Sequence, residues 1–174
     1  EDSELAWRES EIYAVDLASG DIRQLTTREG VDRGALPSPD GSLIAYTGVD
    51  MNEDTYRNYG IYVMDRDGSN PRLISGDFDR QLTGGMMWAP DGSGVWFGAN
   101  DAGTRNLHFA SVDGGVEPVT TGTHLLNISS VSADGGTMVG TATSFHAPSD
   151  VVAVDARSAE ITQLTRVNDD VLDG

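Results

Sequence analysis

Ser38-Pro39-Asp40-Gly41 is followed by a short apolar run, and the same arrangement returns at Ala89-Pro90-Asp91-Gly92 and at Ser132-Ala133-Asp134-Gly135. Proline presets φ, aspartate bonds its own backbone and glycine accepts a positive φ, so each phrase predicts a tight turn between two strands. Successive Asp-Gly pairs lie 51 and 43 residues apart. A repeat of this length, built from short strands, is typical of the blades of a β-propeller.

The residues around each turn predict four short strands running up and down, which is the content of one blade. In the first complete repeat these strands are expected at 34–36, 43–47, 61–65 and 71–75. The two later repeats have the same order. We therefore expect an all-β protein with about three and a half four-stranded antiparallel blades, forming part of a seven-bladed propeller.

The blade count predicts the domain boundaries. Residues 1–27 are expected to form a partial blade, whose first two strands are missing or reduced to Leu5-Ala6-Trp7. Its last phrase, Gln24-Leu25-Thr26, occurs again near the end of the chain. Complete blades are expected at 28–75, 76–121 and 122–165. Three and a half blades leave uncovered sheets and open edges, so we expect the chain to be a piece of a larger propeller.

Composition excludes several classes of function. The formal net charge is −17, and all 11 cationic side chains are arginine. Such an acidic chain repels nucleic acid and anionic lipid, so neither is expected as a partner. There is no cysteine, which excludes disulfides, thiolate metal sites and a cysteine nucleophile. No metal or cofactor is expected. No apolar run is long enough for a membrane helix and no leader is visible, so we expect a cytoplasmic protein.

Several stretches resemble known propellers. Residues 61–70 look like the repeat of TolB-type propellers. Asp79-Arg80, followed by Trp88 and the second Pro-Asp-Gly turn, is similar to the propeller of acylaminoacyl-peptidase-like (dipeptidyl aminopeptidase-like) serine peptidases of the prolyl oligopeptidase superfamily. Residues 161–172 resemble the last blade and the start of the linker in those enzymes. The resemblance therefore makes 166–174 the start of a linker toward an α/β-hydrolase domain.

This resemblance implies a function for the segment but no catalysis within it. In that family the propeller caps a hydrolase domain carrying Ser, Asp and His, and it limits the size of peptide substrates. The implied partners are the other blades and the hydrolase domain of the same protein, a peptide substrate, and further copies in an oligomeric enzyme. The chain itself lacks the Gly-x-Ser-x-Gly nucleophile elbow, and His108, His124 and His146 do not form a recognisable triad.

The candidate contact residues lie in two loops. The long insertion 49–60 carries Tyr56, Arg57 and Tyr59, and the loop before the next blade carries Asp79 and Arg80. In an up-and-down blade both loops leave the sheet on one face, so we expect them to form one rim that contacts substrate or the catalytic domain. The competing interpretation is that Arg80 pairs with a carboxylate between blades. The acidic run 50–54 is not expected to bind calcium, because glycine and glutamate are absent from the required positions.

Two other kinds of function stay open. A TolB-like propeller that binds proteins and performs no chemistry has the same repeats. The sequence beyond residue 174 distinguishes the two, since a peptidase requires an α/β segment with the nucleophile elbow. A propeller enzyme acting on sugars would need acidic or histidine groups around the axis, whereas the predicted inner strands are apolar or small.

Overall fold

The computed structural model describes residues 9–51 and 56–167, and all regular structure within these ranges is β. The described strands are short, as the repeat predicts, and most connections between them are tight turns. Three parts of the sequence interpretation lie outside the described residues: Leu5-Ala6-Trp7, residues 52–54 of the acidic run, and the linker residues 168–174.

The N-terminal part forms a two-stranded sheet followed by a four-stranded one. The N-terminal pair consists of β1 (Tyr13–Val15) and β2 (Ile22–Gln24), which are antiparallel. The first blade has the order β3-β4-β5-β6 and is antiparallel throughout. Its strands are β3 (Gly30–Pro37), β4 (Leu43–Asp50), β5 (Gly60–Asp65) and β6 (Arg72–Leu73).

The second and third blades repeat this arrangement. The second contains β7 (Gln81–Trp88), β8 (Gly94–Asp101), β9 (Thr104–Ser111) and β10 (Val116–Pro118). The third contains β11 (Leu125–Val131), β12 (Thr137–Thr143), β13 (Asp150–Asp155) and β14 (Ile161–Gln163). One parallel pairing, Leu125 with Arg105, joins the two blades into a continuous sheet. The strand order confirms the all-β propeller class, while the boundaries 28–75, 76–121 and 122–165 stay a prediction.

The Asp-Gly turns have the predicted chemistry. Ser38 Oγ donates to Asp40 Oδ1 at 2.6 Å, and the Ser42 amide donates to the same oxygen at 3.0 Å. These bonds, the one from Ser38 first, lower the pKa of Asp40 to about 2. Gly41 takes a φ of 71°, a conformation that glycine adopts without steric cost. The aspartates of the three repeated phrases therefore form turns rather than a functional site.

The apolar core lies between neighbouring sheets. One cluster packs the first blade on the second through residues such as Val63 and Phe97, and another packs the second on the third through residues such as Trp96 and Met138. Full burial of one such side chain contributes about 1.5–3 kcal/mol. The Trp88 indole N–H donates to the Leu36 carbonyl at 2.8 Å, which adds a polar contact across the first interface. The predicted core role of the aromatic residues at 88, 96 and 97 is confirmed.

The outer sides of the end sheets carry exposed apolar residues. Tyr13, Val15 and Ile22 are 53%, 55% and 70% exposed, whereas the other side of the same sheet packs on the first blade. At the opposite end, Leu164 and Val167 are 55% and 70% exposed. Both of these residues follow β14. Leu164 corresponds to Leu25 in the repeated Gln-Leu-Thr phrase, and Leu25 is 8% exposed because it packs on the first blade.

One side-chain bond recurs in every repeat. An apolar residue in or just before the third strand donates its amide to a hydroxyl two positions after the fourth strand ends. We call this contact the third-strand hydroxyl bond. Its four examples join Ile12 N to Thr26 Oγ1 (2.9 Å), Ile61 N to Ser75 Oγ (3.0 Å), Leu107 N to Thr120 Oγ1 (3.0 Å) and Val151 N to Thr165 Oγ1 (2.9 Å). The bond satisfies an amide that the strand ladder leaves without a partner.

Candidate functional site

A depression of about 670 Å³ opens beside the insertion of the first blade, and we call it the first-blade depression. It lies where the loop between β4 and β5 meets the loop between β6 and β7. Four of the five predicted contact residues line it, namely Tyr56, Arg57, Tyr59 and Asp79. The structure thus brings the two predicted loops together, while contact with a substrate stays a prediction.

A hydrogen bond links the two loops directly. Asn58 Nδ2 donates to Asp79 Oδ1 at 2.6 Å, and the Tyr56 hydroxyl donates to Asn58 Oδ1 at 3.3 Å. A bond to an ionised acceptor is stronger than a neutral one, so the first contact fixes the insertion against the inter-blade loop. Asn58 belongs to the insertion that the sequence singles out, but no local pattern indicates that it bonds Asp79.

Arg80 is the predicted residue that does not line the depression. Its Nε lies 2.9 Å from Asp101 Oδ1, and its Nη1 donates to the Asp79 carbonyl at 2.7 Å. Asp101 ends β8 in the blade that Arg80 leads into, so the ion pair is formed within one blade rather than between blades. The two side chains are 48% and 58% exposed, and a pair of this kind contributes under about 1 kcal/mol.

Tyr59 turns back from the insertion toward the inner strand. Its ring lies under the Arg33 guanidinium, whose central carbon is 4.0 Å from the ring centroid. Arg33 belongs to β3, so this cation–π contact ties the end of the insertion to the first strand of the blade. An exposed contact of this type contributes about 0.5–1 kcal/mol.

The back of the depression rests on a buried ion pair that sequence reasoning missed. Arg28 Nη2 lies 2.6 Å from Asp32 Oδ1, and the guanidinium carbon lies 3.9 Å from the centroid of the Tyr62 ring. Tyr62 lines the depression and stacks on buried Tyr46. Burial raises the pKa of Asp32, and the positive charge of Arg28 opposes that shift. Arg28 precedes β3 and Asp32 lies within it, and no local sequence motif predicts that the two side chains pair.

Gly60 and Ser75 form the floor of the depression. Gly60 begins β5, and Ser75 is 5% exposed just beyond β6. Ser75 supplies the third-strand hydroxyl bond of this blade. Asp50, Asp77 and Asp79 line the depression as well, together with Arg57, and Asp50 Oδ1 lies 3.3 Å from Arg28 Nη1. The carboxylates outnumber the guanidinium in the lining, so a bound ligand would meet a weakly negative potential.

The histidines do not assemble a catalytic group within the described residues. His108 packs against the rings of Phe78 and Phe97, and burial lowers its pKa. Burial also lowers the pKa of His124. In residues 9–51 and 56–167, no histidine ring bonds a serine hydroxyl or a carboxylate, and no cluster of His, Asp and Glu could hold a metal ion. The same part of the chain contains no helix long and apolar enough to span a membrane.

Comparisons with known proteins point to a peptidase propeller. The chain matches no protein-family model. It is 27% identical over 168 residues to dipeptidyl-peptidase 5 of Porphyromonas gingivalis, a match that covers 94% of this chain and 24% of that protein. The chain therefore spans about a quarter of the length of this curated relative.

Two solved structures illustrate the fold. The acylaminoacyl peptidase of Pyrococcus horikoshii superposes with a TM-score of 0.73 at 20% identity, over 96% of this chain and 24% of that one. TolB of Acinetobacter baumannii superposes with a TM-score of 0.66 at 23% identity, over 89% of this chain and 37% of that one. The strand order identifies the chain as a segment of a β-propeller, and its sequence is similar to part of a dipeptidyl-peptidase.

Proposed function

We propose that the chain is a non-catalytic part of the propeller of a serine peptidase, where it caps a hydrolase domain and limits the access of peptides. The observation that carries the proposal is the match to dipeptidyl-peptidase 5, which covers nearly all of this chain but only 24% of the relative. The matched segment consists of propeller strands and contains no nucleophile elbow. We therefore assign it a role other than bond cleavage.

The exposed apolar sides of the end sheets support a larger assembly. Ile22 at one end and Val167 at the other are each 70% exposed. Burying such residues beneath another blade releases about 25 cal/mol for each Å² of apolar surface removed from water. The partners proposed for this chain are accordingly further blades and a hydrolase domain of the same protein.

The alternative is a TolB-like propeller that binds proteins without chemistry. The likeness to TolB is 23% identical and therefore concerns the fold alone. The sequence match to a named peptidase favours the first proposal. Both proposals use the same face, because the long insertion and the inter-blade loop are the irregular segments that bring aromatic and charged side chains together.

The experiment that tests gating compares substrates of different size. The full-length protein is assayed with a short chromogenic peptide and with a permanently unfolded protein that contains the same cleavable sequence. A cap predicts a high kcat/KM for the peptide and a much lower value for the protein. Equal values for the two substrates would contradict gating, and hydrolysis of neither would favour the binding propeller.

A further inference from the structure

The floor of the first-blade depression differs from the corresponding position in the other repeats. In three repeats the hydroxyl that accepts the third-strand amide also donates a hydrogen bond of its own. Its acceptor is the side chain of the residue that directly precedes the one supplying the amide. These pairs are Thr26 with Glu11, Thr120 with Asn106 (3.2 Å) and Thr165 with Asp150 (2.7 Å). A side-chain oxygen therefore accepts this proton in the N-terminal pair, the second blade and the third blade.

The first blade has Gly60 where the others have an acceptor. Ser75 Oγ accepts the Ile61 amide at 3.0 Å, and among residues 9–51 and 56–167 the Ser75 hydroxyl donates no hydrogen bond. Serine is also smaller than the threonine found in the other three repeats. Both differences remove side-chain volume at the floor of the depression, and they leave one hydroxyl proton without an acceptor.

The backbone does not require glycine at position 60. Its φ lies outside the left-handed region, in contrast to that of Gly41 at 71°. An added Cβ would lie 3.5 Å from Ser75 Oγ and 2.6 Å from Leu73 Cδ1, which is the mobile end of a side chain that is 44% exposed. The same Cβ would lie 3.1 Å from Tyr62 Cε2. Glycine therefore gives Leu73 and Tyr62 room to pack at this position, and it leaves the Ser75 hydroxyl without a neighbouring side-chain acceptor.

We propose that the first-blade depression binds a peptide whose main-chain carbonyl oxygen accepts the free proton of Ser75. The carbonyl takes the place of the side-chain oxygens found in the other repeats. A neutral oxygen is favoured over a carboxylate because the lining contains three carboxylates, Asp50, Asp77 and Asp79, and one guanidinium, that of Arg57. Tyr56 and Tyr59 supply aromatic surface for the rest of the peptide. The choice of a peptide as ligand rests on the proposed function.

The test is a binding measurement that does not depend on hydrolysis. Full-length protein, treated with a fluorophosphonate to stop cleavage, is titrated into a fluorescein-labelled peptide of alternating alanine and serine with blocked ends. Gly60→Asn places a side-chain carbonyl beside Ser75, so the peptide should bind about threefold to tenfold more weakly, the effect of one neutral hydrogen bond. The matched control is Gly85→Asn, because the φ of Gly85, like that of Gly60, lies outside the left-handed region and an added Cβ there meets nothing within 4 Å.

A second variant keeps the proposal testable if Gly60→Asn does not fold. Ser75→Thr retains the hydroxyl that accepts the Ile61 amide and adds the methyl group found in the other repeats, so it should also weaken peptide binding. If each of these two variants that folds binds the peptide with wild-type affinity, the proposal is overturned.

Hydrolysis separates this inference from the proposed function. Cleavage of peptides by untreated protein, together with binding that is insensitive to both variants, overturns the inference and leaves the peptidase proposal standing. Binding that depends on Gly60 without any cleavage supports the depression as a peptide site and contradicts the peptidase proposal.

Discussion

Asn58 donates a 2.6 Å hydrogen bond to Asp79, a residue 21 positions later in the chain. The bond joins the insertion of the first blade to the loop that enters the second, and it closes one side of the first-blade depression. The bond holds two irregular loops in one arrangement. A rim that selected ligands would need such fixed loops.

Removing this bond should alter substrate selection more than stability. For Asn58→Ala we expect a loss of under about 1.5 kcal/mol in the free energy of unfolding, because both groups can bond water instead. In the full-length protein kcat/KM for long peptides should change, while the value for a short peptide stays constant. The control is Gln163→Ala, which removes an amide bonded to the Asp150 carboxylate in the third blade. Equal kinetics in both variants would argue against a role for the rim.

Arg57 lines the depression and is the predicted contact residue that tests the rim most simply. If it contacts substrate, Arg57→Ala should lower kcat/KM for peptides without changing the melting temperature. Arg72→Ala is a suitable comparison, since that side chain is exposed and reaches the Val112 carbonyl instead. Unchanged kcat/KM for long and short peptides, with unchanged stability, would remove Arg57 from the contact residues.

The buried ion pair behind the depression depends on a glycine in the neighbouring strand. A Cβ at Gly48 would collide with both Arg28 Nη2 and Asp32 Oδ1. We expect Gly48→Ala to separate the pair and to destabilise the chain by about 1–3 kcal/mol in urea unfolding. Gly85→Ala is the control, because an added Cβ there meets nothing within 4 Å. Equal unfolding midpoints in the two variants would contradict this role of Gly48.

The first Asp-Gly turn predicts a specific response to acid. Hydrogen bonds from Ser38 and Ser42 lower the pKa of Asp40 to about 2, below the value of 3.8 for an unperturbed side chain. A carboxylate with a lowered folded-state pKa stabilises the protein above its unfolded pKa, and that contribution is lost as the pH falls toward 2. Asp40→Asn should therefore lose less stability than wild type between about pH 4 and pH 2. Parallel urea midpoints for the two proteins across this range would contradict the assignment.

The turns and strands could be predicted because their causes are local. The Pro-Asp-Gly phrase specifies its own turn, and the run 61–65 has the composition of a strand wherever it stands. The exposed and buried sides of the sheets could be inferred from the repeat. The repeat also placed Asp79 near the insertion, because alternate loops of an up-and-down blade share a face.

The chemistry of the depression required the folded chain. Arg28 meets Tyr62, and Asn58 meets Asp79, only after separate segments have packed together. The contrast between Gly60 and the acceptors in other repeats depends on contacts between residues 14 or 15 positions apart. A signal did exist in the sequence, since the phrase Gln24-Leu25-Thr26 returns with its threonine at 165. Its meaning becomes clear when both threonines are seen to accept a third-strand amide.

Peptide hydrolysis by the full-length protein tests the central claim most directly. The protein is incubated with a short chromogenic peptide before and after treatment with a fluorophosphonate, which modifies the nucleophile of serine hydrolases. We predict hydrolysis that the reagent abolishes, with the modified serine located outside residues 1–174. A full-length protein that neither cleaves peptides nor reacts with the fluorophosphonate would contradict the assignment to a serine peptidase.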